Sequence, residues 1–272
     1  MFCGERRNMD IRSYQAFDPT SAASVVVAQF SLALQNAMDR FLGYASDHFA
    51  TSKDELLSSL RNQMNQLAGE DWTATTLEDL APAIVGAILE VDPAAPEAEE
   101  QTDVLKTRLT SLQYLYRYAE AQVLVGLLGR EKGIEAVKAY LDWTIEQRPL
   151  NTSGPDTISE MRERDIPWNL DDKGQDAISA LVSESQCMKK VTACRTHEAL
   201  KHLPDREVAE AVACYPDHAS LRRSNPSFAL TRTQTLIGGA LYCDTCFHDT
   251  RCISAVRHPE LPAFDGLAHE DA

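Results

Sequence analysis

Basic residues are in short supply. Lys and Arg number 26 against 41 Asp and Glu, a formal net charge of -15. So acidic a chain repels phosphate backbones and anionic bilayers, which argues against nucleic acid and membrane as partners. Glycine and proline, 12 of each in 272 residues, are not enriched, so collagen-like and broadly disordered classes fall away. No internal repeat or low-complexity tract is visible. Long apolar runs are missing as well. The stretch Pro19 to Met38 carries no charge, but it holds Thr20, Ser21, Ser24, Gln29, Ser31, Gln35 and Asn36 and is too polar to span a bilayer. The opening MFCGERRNMD has no apolar core after its two arginines, so no secretory signal is expected there. Seven cysteines are present: Cys3, Cys187, Cys194, Cys214, Cys243, Cys246 and Cys252. The number is odd and the chain is not small, which points to reduced thiols and a cytoplasmic protein rather than a disulfide framework.

What is present is helical periodicity, then alternation. Residues 1–18 read as a loose leader and 19–148 as a helical region. From Ser21, the residues Val25, Phe30, Leu32, Leu34, Met38, Phe41 and Leu42 crowd one face. A second helix begins near Ser52, with Asp54 and Glu55 in its first turn. A third runs from about Thr76, an N-cap, to Val91. Asp92 to Glu100 reads as a linker, and a long helix follows from about Glu99 to Leu128. A shorter one covers Ile134 to Gln147, and Pro149 to Thr157 is the expected boundary. The texture then changes. Gln186 to Arg195 suits a strand, Asp205 to Ala213 a short helix, and Phe228 to Leu236 a strand. Gly238-Gly239 then suggests a tight hairpin, with Leu241 to Phe247 returning. The fold class is α+β: a helical N-terminal half, then a small antiparallel sheet module with flanking helices over 149–256, and a frayed acidic tail over 257–272.

Three clusters of that module bear chemistry. They are Cys194 to Glu198, Cys214 to Asp217, and Arg232 to Asp244. A hairpin would set Arg232, Thr233, Thr235, Cys243 and Asp244 on one small region of sheet, suited to a small polar molecule. Arginine grips a carboxylate with two parallel hydrogen bonds, fixing both orientation and charge. The plainer alternative is that Arg232 pairs with Asp244 and the cysteines pack as small apolar groups. Cys194 could be a nucleophile with His197 or Glu198 as its base, and Asp217 could position water or cap a turn. Cys243-Asp-Thr-Cys246 with His248 and Cys252 offers zinc-type ligands, but no second pair lies at the usual distance.

In their order these clusters resemble the L-2-amino-thiazoline-4-carboxylic acid hydrolase family. The shared pattern is Cys194 and Glu198, Cys214 and Asp217, then Arg232, Thr233, Thr235 and Leu236, Gly239, and Cys243, Asp244 and Phe247. Gly129 to Trp143 also resembles the helix that precedes that module. Departures are Ala240, where the family often has an acidic residue, and Thr245 and Cys246, where it often has an aromatic and a basic one. The resemblance implies a hydrolase of cysteine metabolism. It opens 2-aminothiazoline-4-carboxylate, or an analogue, to an N-carbamoyl-cysteine-type product. It also implies substrate binding by Arg232, Thr233 and Thr235. Catalysis would be drawn from Cys194, Glu198, Cys214, Asp217, Cys243 and Asp244, with Asp217 or Glu198 as base and Asp244 on the amidine. No cofactor is required by the sequence and a divalent metal stays open; a homo-oligomer is possible. A non-enzymatic ligand-binding or regulatory domain, or a tailoring enzyme of a biosynthetic pathway, is the alternative.

Overall fold

The computed structural model describes residues 9–92, 101–149 and 154–268. Cys3, residues 93–100 of the expected linker, 150–153 of the expected boundary and 269–272 of the tail lie outside them. In chain order the elements are β1 (Asp10–Gln15), β2 (Ala22–Val26), α1 (Val27–Phe49), α2 (Lys53–Ala68), α3 (Leu77–Leu89), β3 (Gln101–Leu105), α4 (Lys106–Leu128) and α5 (Arg130–Glu146). There follow α6 (Ile158–Asp172), β4 (Gln175–Ser183), β5 (Gln186–Cys194), α7 (Arg195–Leu200), α8 (Arg206–Ala213), α9 (Pro216–Ser224), β6 (Phe228–Thr231), β7 (Cys243–Asp249) and α10 (Leu261–Asp265). The class is α+β.

The chain divides into two compact units. One comprises Pro19–Trp143 and Glu198–Ala213. Its core is helical: Met38, Phe41 and Leu42 of α1, Leu56, Leu60 and Met64 of α2, and Leu80, Ile84 and Val85 of α3 are buried at three- and four-residue steps. Ser52 starts α2 with a full capping box to Glu55, and Thr76 caps α3 by accepting from the Asp79 N–H. Two expectations of uninterrupted helix are corrected here. Ala22–Val26 and Gln101–Leu105 pair as antiparallel strands before α1 and α4 begin. Val25 and Val26, both β-branched, suit that pairing.

The other unit comprises Met1–Asp18, Thr144–His197 and Cys214–Ala272. Among its described residues five strands form one antiparallel sheet in the order β1-β4-β5-β7-β6. The expectation of a loose leader fails at residues 10–15, which form edge strand β1. Buried Arg162 of α6 holds it there, donating to the Asp10 carbonyl at 2.8 Å and pairing with the Asp10 carboxylate.

The pleat gives the sheet two distinct faces. On one, Ile158 and Met161 of α6 and Leu221 of α9 cover Cys187, Phe228 and Phe247, and Ile166 of α6 packs with Tyr14, Ala177, Val191 and Cys243. On the other, Phe264 of α10, Leu267 and Tyr242 cover Ile178, Ala180, Met188 and Cys246.

The expected strand over Phe228 to Leu236 ends at Thr231, and the glycine pair makes no two-residue turn. Residues 232–242 instead form a wide irregular connection between β6 and β7, with Gly239 at φ 100°. The cause is a side chain. The Asp244 carboxylate takes the Thr233 and Gln234 N–H groups, each at 2.9 Å, which ladder bonds would otherwise use.

Candidate functional site

A cavity of about 330 Å³ opens between the sheet face under α6 and the helix α9. That volume falls in the range that holds a small ligand, roughly 300–1,000 Å³. Two cation–carboxylate pairs stand on its wall, Arg232 with Asp217 and Lys189 with Asp165, and Thr245 and Phe247 of β7 line it too.

The Arg232 guanidinium uses all three of its nitrogens. Nε donates to Thr245 Oγ1 at 2.9 Å, Nη1 to the Cys214 carbonyl at 3.2 Å, and Nη2 to Asp217 Oδ2 at 2.9 Å. Its side chain is 12% exposed, whereas that of Asp217, in the first turn of α9, is 51% exposed. Lys189 Nζ donates to Asp165 Oδ2 at 2.6 Å, and Asn169 one turn on steadies Asp165 Oδ1 at 3.0 Å. Burial disfavours the Lys189 charge, but Asp165 and Tyr14 outweigh it and hold the ammonium above its ordinary pKa. A pair of buried cations matched to two carboxylates suits a small zwitterion: one end anionic, the other cationic.

Cys214 and Cys243 lie near Arg232, and Cys194 lies near those two thiols. Strand alternation alone would turn Cys194 away from Val191. A bulge opposite Asp176 and Ala177 adds a residue and restores it to the same side, where it packs, like Cys243, against the cluster of Tyr14, Ala177 and Val191. None of the three thiols is among the residues lining the cavity. Burial pushes Cys214 well above its ordinary pKa and Cys243 up to about 11. Buried thiols of that kind stay protonated at neutral pH and are poor nucleophiles.

The same burial has a cost at high pH. Cys243 rises from 9.0 to about 11, and Cys187 and Cys246 rise to about 12. Unfolded thiols lose their protons near the lower value, folded ones near the higher, so the unfolded state binds fewer protons across that window and stability falls as pH rises. The midpoint of urea unfolding is therefore expected to hold below about pH 9 and to drop steadily from about pH 9 to 11.

Asp244 is turned to the other face and is 0% exposed. Its Oδ1 accepts the two backbone N–H groups already named; its Oδ2 meets the Thr233 hydroxyl and His258 Nε2, the latter at 3.1 Å. Arg232 therefore pairs with Asp217 rather than Asp244, and Asp244 and Thr233 hold the backbone instead of lining the cavity. Thr235 is buried and accepts from the Gly238 N–H at 2.8 Å, shaping the same connection. Glu198 belongs to the helical unit, where it pairs with Lys201 at 2.6 Å.

Cys243 and Cys246, three apart on β7, face opposite sides of the sheet and cannot converge on one metal. Among the described residues no group of three His, Cys, Asp or Glu is placed to hold one. Nor is any described helix long and apolar enough to cross a membrane.

Asp165, Lys189 and His258 went unnoticed in the sequence. Lys189 sits in a Lys-Lys pair on a strand, and only alternation hints that one lysine must point inward. Asp165 lies in a helix, α6, that the apolar pattern did not reveal.

A family model described as L-2-amino-thiazoline-4-carboxylic acid hydrolase matches residues 108–247, just over half of the chain. Neither the curated proteins nor the solved structures give a match.

Proposed function

Because the chain belongs to the L-2-amino-thiazoline-4-carboxylic acid hydrolase family, we propose that it hydrolyses 2-aminothiazoline-4-carboxylate, or a close analogue, to the N-carbamoyl-cysteine-type product. The observation that carries this reading is the cavity with two cation–carboxylate pairs on its wall. The substrate has a carboxylate at one end and an amidine, cationic when protonated, at the other.

Arg232 takes the carboxylate, exchanging part of its bond to Asp217. Asp165 faces the amidinium. Asp217, displaced from the guanidinium and half in solvent, accepts a proton from water as its oxygen adds to C2. The C2–S bond then breaks, the proton held by Asp217 goes to the departing sulfur, and the proton left on the added oxygen passes to solvent as C2 becomes the urea carbonyl, while the amidinium's own proton stays on the ring nitrogen. One water is consumed and one thiol appears. Asp217 is preferred to Glu198 as the base because it stands on the cavity wall beside Arg232. The thiols Cys194, Cys214 and Cys243 form packing behind the guanidinium, and Asp244 supports rather than touches the substrate. Thr245, where the family often carries an aromatic, leaves room beside Arg232 and favours an analogue with added bulk as a second substrate.

The test is to incubate purified protein with L-2-aminothiazoline-4-carboxylate and to follow free thiol by colour and the carbamoyl product by mass spectrometry. The two are expected to appear in equal amounts. Asp217→Asn, which keeps the shape but cannot take the proton, is expected to lower kcat by about 100-fold. Absence of thiol release from the wild-type chain, or normal kcat in that variant, would overturn the substrate or the base respectively.

A further inference from the structure

Arg232 is held by its neighbours in sequence. Thr231 and Thr233 point to the α10 face, opposite the cavity, and both are tied there. The Thr233 N–H and hydroxyl bind the Asp244 carboxylate. Thr231 Oγ1 lies 2.9 Å from His258 Nδ1 and 2.8 Å from His248 Nε2. His258 closes the loop, its Nε2 3.1 Å from Asp244 Oδ2 and its ring stacked on Phe264 at 5.3 Å between centroids.

The proton inventory gives this chain one consistent direction with both imidazoles neutral. Gln186 Nε2 donates to His248 Nδ1, and His248 Nε2–H to Thr231 Oγ1. The Thr231 hydroxyl donates to His258 Nδ1, and His258 Nε2–H to Asp244. No donor is left over and no acceptor is crowded. Burial also holds His248 below its ordinary pKa, in keeping with a neutral ring. His258 and Phe264 lie beyond the matched segment, which ends at residue 247.

We propose that His258 is a positioning residue: with Asp244 it clamps the residues on either side of Arg232 and so aims the guanidinium into the cavity. The segment after β7 thereby completes the binding site without touching the ligand. This inference rests on the reading of Arg232 as the carboxylate anchor.

The experiment has a substrate-free arm and a kinetic arm. In the ¹H–¹⁵N spectrum of the full chain, the Arg232 Nε–H resonance is identified by its loss in Arg232→Lys. His258→Ala and Thr231→Val are each expected to shift or broaden it with no substrate present. With the thiazoline, both variants are expected to raise KM by about tenfold and leave kcat within about twofold, since only the aim of the anchor changes. His258→Gln, whose amide can still donate to Asp244, is expected to recover part of the loss. If His258→Ala does not fold, Thr231→Val cuts the same chain and gives the same readouts. An Arg232 Nε–H resonance and a KM that stay put in the folded variants overturn the proposal. A resonance that moves in a protein unable to open the thiazoline supports the clamp and counts against the hydrolase reading alone.

Discussion

Replacing Arg232 with alanine is expected to lower kcat/KM for the thiazoline by roughly 10²- to 10³-fold, the largest catalytic effect of any single change in the cavity. Removing one partner of a buried, hydrogen-bonded charge pair costs about 3–4 kcal/mol, and each ~1.4 kcal/mol is a factor of ten. The guanidinium is 12% exposed and fixed at three points, so little water can reach in to replace it. Lysine keeps the charge but not the planar fork. Arg232→Lys should therefore recover only a small part of the rate, since Thr245, Cys214 and Asp217 cannot all be reached from one ammonium. A substrate pair isolates the cause. For 2-aminothiazoline, which lacks the carboxylate, wild type and Arg232→Ala are expected to turn over at the same slow rate. The difference between the two substrates then measures the arginine–carboxylate coupling. Equal kcat/KM for wild type and Arg232→Ala on the full substrate would remove the anchor.

How far such a site can be read from sequence is seen at Arg232 and Asp244. That an arginine, a thiol and a carboxylate late in the chain lie close together was legible, because alternation and a return strand bring their backbones side by side. Which face each occupies was not. Cys243 and Asp244 are adjacent, so the pleat must send them to opposite sides, and placing both at one ligand overlooked this. The wide connection over 232–242 was hidden for a related reason. Phe228 to Leu236 alternates like a strand, but the competing acceptor for its N–H groups, Asp244, arrives only after the turn. Helices α1 and α2 were plain, since Met38 and Phe41, or Leu56, Leu60 and Met64, need only their own spacing. Edge strand β1 was not, because what holds Asp10–Gln15 is a partner about 165 residues away and the buried Arg162. Local periodicity carries no trace of either.

The largest effect on stability is expected at Asp244. Asp244→Ala should lower the free energy of unfolding by about 3–5 kcal/mol, since it strands several buried donors at roughly 1–3 kcal/mol each and the site can relax only in part, measured by urea titration at neutral pH. The wild-type carboxylate is wholly buried and accepts from two backbone N–H groups, the Thr233 hydroxyl and His258. Alanine leaves those donors in a space closed to water, and an unsatisfied buried donor costs more than the bond itself was worth. Asp244→Asn separates charge from shape. Its oxygen can still accept from the Thr233 and Gln234 N–H groups. Its amide, however, then faces the Thr233 hydroxyl and His258 Nε2–H, where a donor meets a donor. The Thr233 hydroxyl can rotate to accept, but His258 must give up its proton on that nitrogen and reverse the chain through Thr231 and His248. An intermediate loss of about 2 kcal/mol is expected for asparagine, and His258→Gln combined with it should show non-additive stability. If Asp244→Ala unfolds at the wild-type urea concentration, the carboxylate does not hold the connection in place, and the position of Arg232 must come from its own bonds to Thr245, Cys214 and Asp217.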